Sequence, residues 1–382
     1  MPAPLKILIA SHACANFLNQ RLFALAAEQR DWRVTMVIPS RWKNEYGKRL
    51  EAQLLPGFKA DLIQAPMFMN GSVPLHAYLM NASKLLRRVQ PDVVYSHNEP
   101  YALSTIQWCR ANASTGEKPF GFFSCQNLVK KYPPPFRQGE AMVYRKSSFF
   151  FPITDAVDQV HRQKGYAGKS TVIPLGFDSE MYNATLNIGQ RHTNASKTFQ
   201  LAFVGRIVEE KGLVTLARAL QKVSDLDWKF IIVGAGPFED NVRAELESCG
   251  VADRVEWRGF VPQAEVAKFF ESVDALILPS ESRPNWTEQF GRVLIESMAC
   301  GTPVIGSDSG EIPTIIRQTS GGLVFKEADV ESCASAIRTM ILDKKGRAHM
   351  AGAGHEFVHK HYSLTAVAGQ FADMIESAAL RG

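Results

Sequence analysis

Apolar positions along the chain come in short runs set off by polar turns, and helical periodicity fills the stretches between them. In the first half the runs fall at residues 5–10, 33–38, 92–95 and 121–124. Residues 19–29, 74–89 and 102–112 carry the helical pattern between them. The same rhythm returns later, with strands expected at 200–204, 230–233, 255–257, 275–278 and from 303 to 305. A helix is expected from Gly291 to Cys300, stopped by Gly301. Such alternation predicts parallel, doubly wound sheets, which bind ligands beyond the carboxyl ends of their strands. Residues 183–198 are polar and aperiodic, the mark of a linker. Residues 366–379, apolar at Val367, Phe371, Met374 and Ile375, predict an amphipathic helix.

Candidate chemistry gathers at the predicted strand ends. In the first half these ends carry Ser11-His12 with Asn16, and Ser96-His97-Asn98-Glu99. A histidine so placed is either a structural hydrogen bonder or a site residue. In the second half, VGRIVEEKG sets Arg206 and Lys211 just past a strand. A planar fork and a point charge together can neutralise a pyrophosphate. The turn GAGPFED carries Gly234 and Gly236 but lacks the third small residue that a dinucleotide fingerprint needs, ending instead on Glu239 and Asp240, which speaks against a nicotinamide oxidoreductase. Glu288 and Glu296 stand eight apart, one in a loop and one on the helix after it. Carboxylates accept from sugar hydroxyls, and the N–H groups of Gln289, Phe290 and Gly291 suit hydroxyl or phosphate oxygens. The pair alone also fits a capped core helix with two solvated acids.

The longer phrase EQFGRVLIESMACGTPVIGSDSGEIP resembles the donor-site signature of retaining GT-B glycosyltransferases, family 4 (glycosyl transferases group 1). VGRIVEEKG is similar to that family's phosphate-binding segment, SHNEP to its histidine loop, and VIPLGFD to the segment before its second domain. The resemblance runs over residues 200–325 and, more loosely, over the first half. It implies an α/β GT-B fold of two doubly wound, Rossmann-like domains facing a central cleft. Residues 1–182, joined by a C-terminal helix at about 364–382, would form the acceptor side, and residues 198–363 the nucleotide-sugar side. It further implies that Glu288, with Gln289, Phe290 and Gly291, holds the donor sugar. Arg206, Lys211, Gly234, Gly236, Val261 and Glu296 would bind the nucleotide, Glu296 at its ribose. His97, Glu288, Arg206 and Lys211 would be the catalytic set, and His12, Asn16, Asn98 and Glu99 the acceptor side. Two departures stand out. Arg292 replaces a usual apolar residue, and the first loop has His12-Ala13-Cys14-Ala15-Asn16 where the family usually carries a glycine pair.

The implied reaction moves a sugar from a nucleotide donor to a lipid-linked or glycan acceptor with retained configuration, without a metal or other cofactor. UDP-sugars are the first expectation and GDP-mannose the second. The leaving phosphate is expected to help remove the acceptor proton. The alternative is a non-catalytic nucleotide-sugar scaffold or sensor of the same fold.

Composition changes this picture only at its edges. Of 382 residues 46% are hydrophobic and 21% charged, a soluble-globular balance. No run of 18 apolar residues is present, and the N-terminal run reads as a first core strand rather than a signal peptide. Six scattered cysteines suggest reduced thiols in a cytoplasmic protein. The net charge of +5 is uneven: residues 1–180 hold 22 Lys and Arg against 13 Asp and Glu, and the remainder 21 against 25. A basic half points to an anionic partner, with a peripheral place at the inner face of the plasma membrane as one expectation. No recognised motif accompanies the charge to suggest nucleic acid. Residues 41–59 are expected either to lie on anionic lipid as an amphipathic segment or to form an exposed helix. Residues 130–146, with their proline run, are expected to form an acceptor- or membrane-facing loop.

Overall fold

Strands apolar on both faces, such as those at residues 7–10 and 149–152, can be covered only in a parallel sheet with helices on each side. The computed structural model describes residues 3–43, 47, 49–183, 188–193 and 198–380. In it β1 (Lys6–Ala10), β2 (Arg33–Pro39), β3 (Ala60–Ala65), β4 (Val93–Ser96), β5 (Phe120–Ser124), β6 (Phe149–Pro152) and β7 (Lys169–Ser170) form one sheet. Its order is β7-β6-β5-β4-β1-β2-β3. Every pairing is parallel, with Ile7 beside Val34 on one side and beside Val93 on the other. A second sheet holds β8 (Phe199–Val204), β9 (Trp228–Val233), β10 (Val255–Gly259), β11 (Ala275–Leu278), β12 (Val304–Ser307) and β13 (Gly322–Phe325). Its order is β10-β9-β8-β11-β12-β13. Each sheet therefore reverses its winding once, between β1 and β4 and between β8 and β11. The loops leaving adjacent strands diverge at such points, which opens a crevice at the carboxyl ends.

The chain divides into two compact units, Met1–Pro174 with Leu364–Gly382, and Leu175–Ser363. The last helix, Leu364–Ala379, belongs to the first unit because its apolar stripe has a place there. Phe371 meets Phe23, Trp32, Tyr95 and Phe151 at ring distances of 4.9–6.2 Å. Val367, Ala368, Ala372 and Ile375 complete the buried face.

Local structure departs from the periodicity in four places. The helix expected over 74–89 is only Ala82–Val89, capped by Asn81, whose side chain accepts the Lys84 N–H. Ahead of it, Met67–Phe68 and Ala77–Tyr78 pair as a small antiparallel ribbon. Residues 41–59 are not helical where described. Arg41–Lys43 pairs with Arg49–Glu51, and Trp42 and Phe58 are buried; Tyr46 of that segment lies outside the described residues. Residues 130–146 form a loop only up to Pro135, after which Phe136–Lys146 is a helix. Within the stretch expected as a linker, Ile188–Thr193 is a helix whose Arg191 donates to the Cys300 and Gly301 carbonyls. Among the described residues no helix is long and apolar enough to cross a membrane.

Candidate functional site

The winding reversal of the second sheet brings the loop after β8 beside the loop after β11, and glycine lets the backbones close up. Gly234 has φ +133°, and a Cβ there would overlap the carbonyl oxygen of Gly205. Its N–H donates to the Gly259 carbonyl at 2.7 Å, which ties the loops after β9 and β10 together. Gly236 lies in the same way against the Ile207 carbonyl. The loop after β8 then turns through Glu209–Lys211, and Gly212, at φ +65°, starts the helix Leu213–Lys222.

These loops bound a cavity of about 300 Å³ lined by Arg206, Lys211, Trp286, Glu288, Gly291 and Arg292, among others. Lys211 Nζ stands 2.5 Å from Glu288 Oε2. The buried Ser280 hydroxyl donates to that same oxygen at 2.7 Å. Lys211 also lies over the Trp286 ring, 5.1 Å from its centre. The Glu288 backbone is fixed from behind, since its carbonyl accepts the Glu311 N–H at 3.2 Å and leaves no room for a Cβ at Gly310. Arg206 is exposed and forms no ion pair among the described residues. Three cations, Arg206, Lys211 and Arg292, thus share one crevice with an oriented carboxylate. That set can hold an anionic group beside a hydroxylated one.

The helix Arg292–Ala299 begins one residue later than its pattern suggests, with Gly291 in a left-handed conformation at its cap. The Leu294 N–H is already taken by the Gly291 carbonyl, and Arg292 and Val293 of the first turn line the cavity. Gln289 and Phe290 precede the helix, and the Phe290 side chain is buried against Tyr362. Glu296 does not line the cavity; it accepts from Arg292 Nε at 3.2 Å. Burial raises its carboxyl above the ordinary range, and Arg292 partly offsets this. Val261 is half-buried beside the exposed Phe260. Ser280 and Trp286 are the participants that sequence reasoning missed. They lie inside the polar loop between the strand and Glu288, where only their chemistry marked them.

In the first unit, the structure brings His12 and Asn98 together, with Nδ1 to Oδ1 at 2.5 Å. Trp42 and His76 pack on the His12 ring at 4.8 and 4.6 Å. Neither was found from sequence, because one sat in a segment read as amphipathic and the other in a stretch read as helix. His97 takes a different partner, the Tyr95 hydroxyl at 3.0 Å, and stacks on Phe123. Burial lowers its imidazole to about 3. Glu99 accepts from the Ser124 hydroxyl at 2.6 Å and the Cys125 N–H at 2.8 Å. Burial pushes its carboxyl up to about 7. Ser124 continues into His161 and Tyr144 at 2.7 Å each. Asn16 caps the turn Phe17–Gln20, its side chain accepting the Leu18 N–H.

The sequence model of the family Glycosyl transferases group 1 matches residues 186–357, a stretch that lies within the second unit. A GDP-mannose-dependent α-(1-6)-phosphatidylinositol monomannoside mannosyltransferase of Mycobacterium tuberculosis is 28% identical over 55% of this chain and 57% of its own length. The sulfoquinovosyl transferase SQD2 of Arabidopsis thaliana is 30% identical over 49% of this chain and 36% of its own. The chain thus spans little more than half the length of the first of these relatives. Among solved structures, Anabaena Alr3699/HepE in complex with UDP matches at TM-score 0.73 and 18% identity, covering 98% of this chain and all of that one. Sucrose-phosphate synthase of Thermosynechococcus elongatus matches at 0.73 and 15%, covering 99% and all. These likenesses show the fold, two Rossmann-like parallel-sheet domains of the GT-B type.

Proposed function

We propose that this chain is a retaining glycosyltransferase that moves a sugar from a nucleotide-sugar to a lipid-linked or glycan acceptor. One observation carries the reading: Arg206, Lys211 and Glu288 share a single cavity at the winding reversal of the second sheet, with Lys211 and Ser280 converging on one carboxylate oxygen. Breaking the glycosidic bond leaves negative charge on the pyrophosphate. Arg206 and Lys211 supply fixed positive charge where it develops, without a metal. Glu288, held from two sides, accepts from donor-sugar hydroxyls, with Gln289, Phe290 and Gly291 beside it. Glu296 takes the ribose hydroxyls, and Gly234, Gly236 and Val261 bound the nucleotide. His97, an uncharged imidazole clamped between Tyr95 and Phe123, orients a substrate hydroxyl. His12, Asn16, Asn98 and Glu99 belong to the acceptor side.

The mannosyltransferase relative is named for GDP-mannose, and the HepE structures hold UDP or UDP-glucose. UDP-sugars are our first choice for this chain and GDP-mannose the second. The basic first half supports an acceptor at an anionic surface, and the protein should bind anionic vesicles at low salt and leave them as salt rises.

The test is thermal unfolding with UDP, GDP, ADP or NAD in excess EDTA. A nucleotide at a hundred times its dissociation constant adds about 2.7 kcal/mol to stability. We expect one nucleoside diphosphate to raise the midpoint without metal. Stabilisation by NAD alone would overturn the reading.

A further inference from the structure

Four of the eight large apolar side chains exposed among the described residues, Phe68, Met69, Val73 and Leu79, fall on the small ribbon of the first unit and its turn. Residues 62–83 contain no Asp, Glu, Lys or Arg. Solvated ribbons are normally kept apart from other surfaces by charge, and this one carries none. Its exposure is built into the backbone. Tyr78 is buried and donates its hydroxyl to the Val37 carbonyl at 3.3 Å. The Gln107 amide takes the Tyr78 N–H at 2.9 Å and donates to the Tyr78 carbonyl at 2.8 Å. His76, also buried, is held by the Ser104 hydroxyl at 2.8 Å. With Tyr78 turned inward, strand alternation turns Leu79 outward. The Leu79 N–H donates to the Pro66 carbonyl at 2.9 Å, and Gly71, at φ +88°, lies in the turn.

Positive charge lies directly beside this apolar turn. Asn70 accepts the Lys43 N–H at 2.9 Å and donates to the Arg41 carbonyl at 2.8 Å, which ties the turn to the strand Arg41–Lys43. Trp42 is buried, so the residues on either side of it, Arg41 and Lys43, are exposed. Arg49, exposed as well, stands opposite Lys43 in the paired strand. The one acid of these two strands, Glu51, lies 3.9 Å from Arg41, and both are largely in solvent, where such a pair neutralises little. On the inner side Trp42 and His76 pack on the His12 ring at 4.8 and 4.6 Å. The apolar turn and its cations therefore adjoin the carboxyl end of β1.

We propose that Phe68, Met69, Val73 and Leu79, with Arg41 and Lys43 beside them, form the face by which the first unit docks on an anionic lipid bilayer. An exposed apolar patch with a polar rim marks either a protein or a membrane contact. The cationic rim selects an anionic surface, and side chains projecting from a narrow turn suit a fluid one that closes around them. The apolar side chains enter the boundary between headgroups and acyl chains while the cations meet lipid phosphates. Either signal alone binds weakly, and the two together hold. The docking does not depend on the glycosyl-transfer reading. What rests on that reading is the consequence, that the acceptor is a lipid-linked one met at the bilayer.

The experiment sediments the full chain with vesicles of phosphatidylcholine alone or of phosphatidylcholine with phosphatidylglycerol, and follows the thermal midpoint with UDP or GDP in parallel. The wild type should bind the phosphatidylglycerol vesicles and leave the neutral ones. The double variant Phe68→Ser/Leu79→Ser should lower the partition coefficient at least about tenfold. Arg41→Ser/Lys43→Ser should lower it by about the same factor. All four side chains are exposed, so both variants should keep the wild-type midpoint and its shift with nucleotide. Wild-type binding by the Phe68→Ser/Leu79→Ser protein overturns the proposal. So does a wild type that ignores both vesicles, or one that is a dimer in sedimentation velocity and becomes a monomer in that variant, which would make the face a contact between copies. A midpoint raised by UDP or GDP without vesicle binding removes the docking face and leaves the transfer reading standing. Vesicle binding without any nucleotide effect does the reverse.

Discussion

The two sheets share one strand order and one winding reversal, yet their crevices are furnished in opposite ways. In the second unit the crevice holds Arg206, Lys211 and Glu288, an exposed arginine beside an ion pair that keeps some contact with solvent. In the first it holds His12, His76, His97 and Glu99, for which burial favours the uncharged form. Full charges suit an anion that changes its charge during reaction. Uncharged imidazoles and amides suit hydroxyls, which need directed hydrogen bonds and no net field. The same topology thus serves as a frame for either chemistry, and side chains at strand ends decide which.

Removing the charges should produce the largest effect. The double variant Arg206→Ala/Lys211→Ala should lose about 10³-fold or more in turnover, since a single electrostatic stabiliser is typically worth about 10²–10³. Circular dichroism should show a retained fold, because Arg206 is exposed and makes no ion pair among the described residues, and Glu288, on losing Lys211, keeps the Ser280 hydroxyl. Turnover near wild type in that folded double variant would remove the second crevice from the chemistry.

Backbone closeness can be compared across the units next. Gly234→Ala sets a Cβ against the Gly205 carbonyl at φ +133° and should destabilise by about 3 kcal/mol, with loss of nucleotide binding. Gly165→Ala in the first unit, at φ +99° with nothing within 4 Å, should cost only about 1 kcal/mol. Urea unfolding of both variants gives the difference; equal costs would mean that the second crevice is not tightly closed.

Acid should then weaken the first unit through its imidazoles. His76, His97 and His161 are each lowered to about 3 in the fold, so below 6.5 the unfolded chain binds protons that the fold refuses. Their stabilisation is complete above 6.5 and falls as pH drops, by up to about 1.4 kcal/mol per group per pH unit. Glu99 has the opposite sign. Its carboxyl, raised to about 7, favours the fold as pH falls from 7 toward its ordinary value and offsets about one histidine. His192 of the second unit, lowered to about 4, adds one group of the same sign as the three. Unfolding at pH 7, 6 and 5 should show stability falling with acid, and His161→Gln should flatten the slope. A flat profile in the wild type would contradict the buried, neutral imidazoles.

Legibility in the sequence followed the same division. The strands β1, β2, β4, β5 and β8–β12 were readable because apolar runs between turns have one economical use. The second crevice was readable in part: Arg206 and Lys211 lie five apart in one phrase and Glu288 in another, whereas Glu296 of that second phrase does not line it. In the first crevice His12 and Asn98 were readable at their strand ends, but Trp42 and His76 beside them were not. His12, Trp42, His76 and Asn98 come from four segments, and only the β1–β4 pairing and two short antiparallel ribbons bring them together. Residues 74–81 fail as helix because the side chain of Asn81 caps the turn after them and His76 is drawn onto the Ser72 and Val73 carbonyls. No periodicity encodes such contacts.

The smallest expected effect concerns the departure at Arg292. Its guanidinium is about half exposed and pairs with Glu296 at 3.2 Å, an arrangement worth about 0.5 kcal/mol or less in stability. Its influence on Glu296 is more telling, because burial already raises that carboxyl and Arg292 opposes the rise. Arg292→Val should therefore push Glu296 higher still. A protonated carboxyl offers ribose hydroxyls a poorer acceptor, so nucleotide affinity should drop a few-fold at pH 6 and by less at pH 8. Isothermal titration with UDP or GDP at both pH values measures this. An equal loss at both would mean that Arg292 touches the nucleotide itself. No loss at either would detach Glu296 from the ribose and leave the second crevice to Arg206, Lys211 and Glu288.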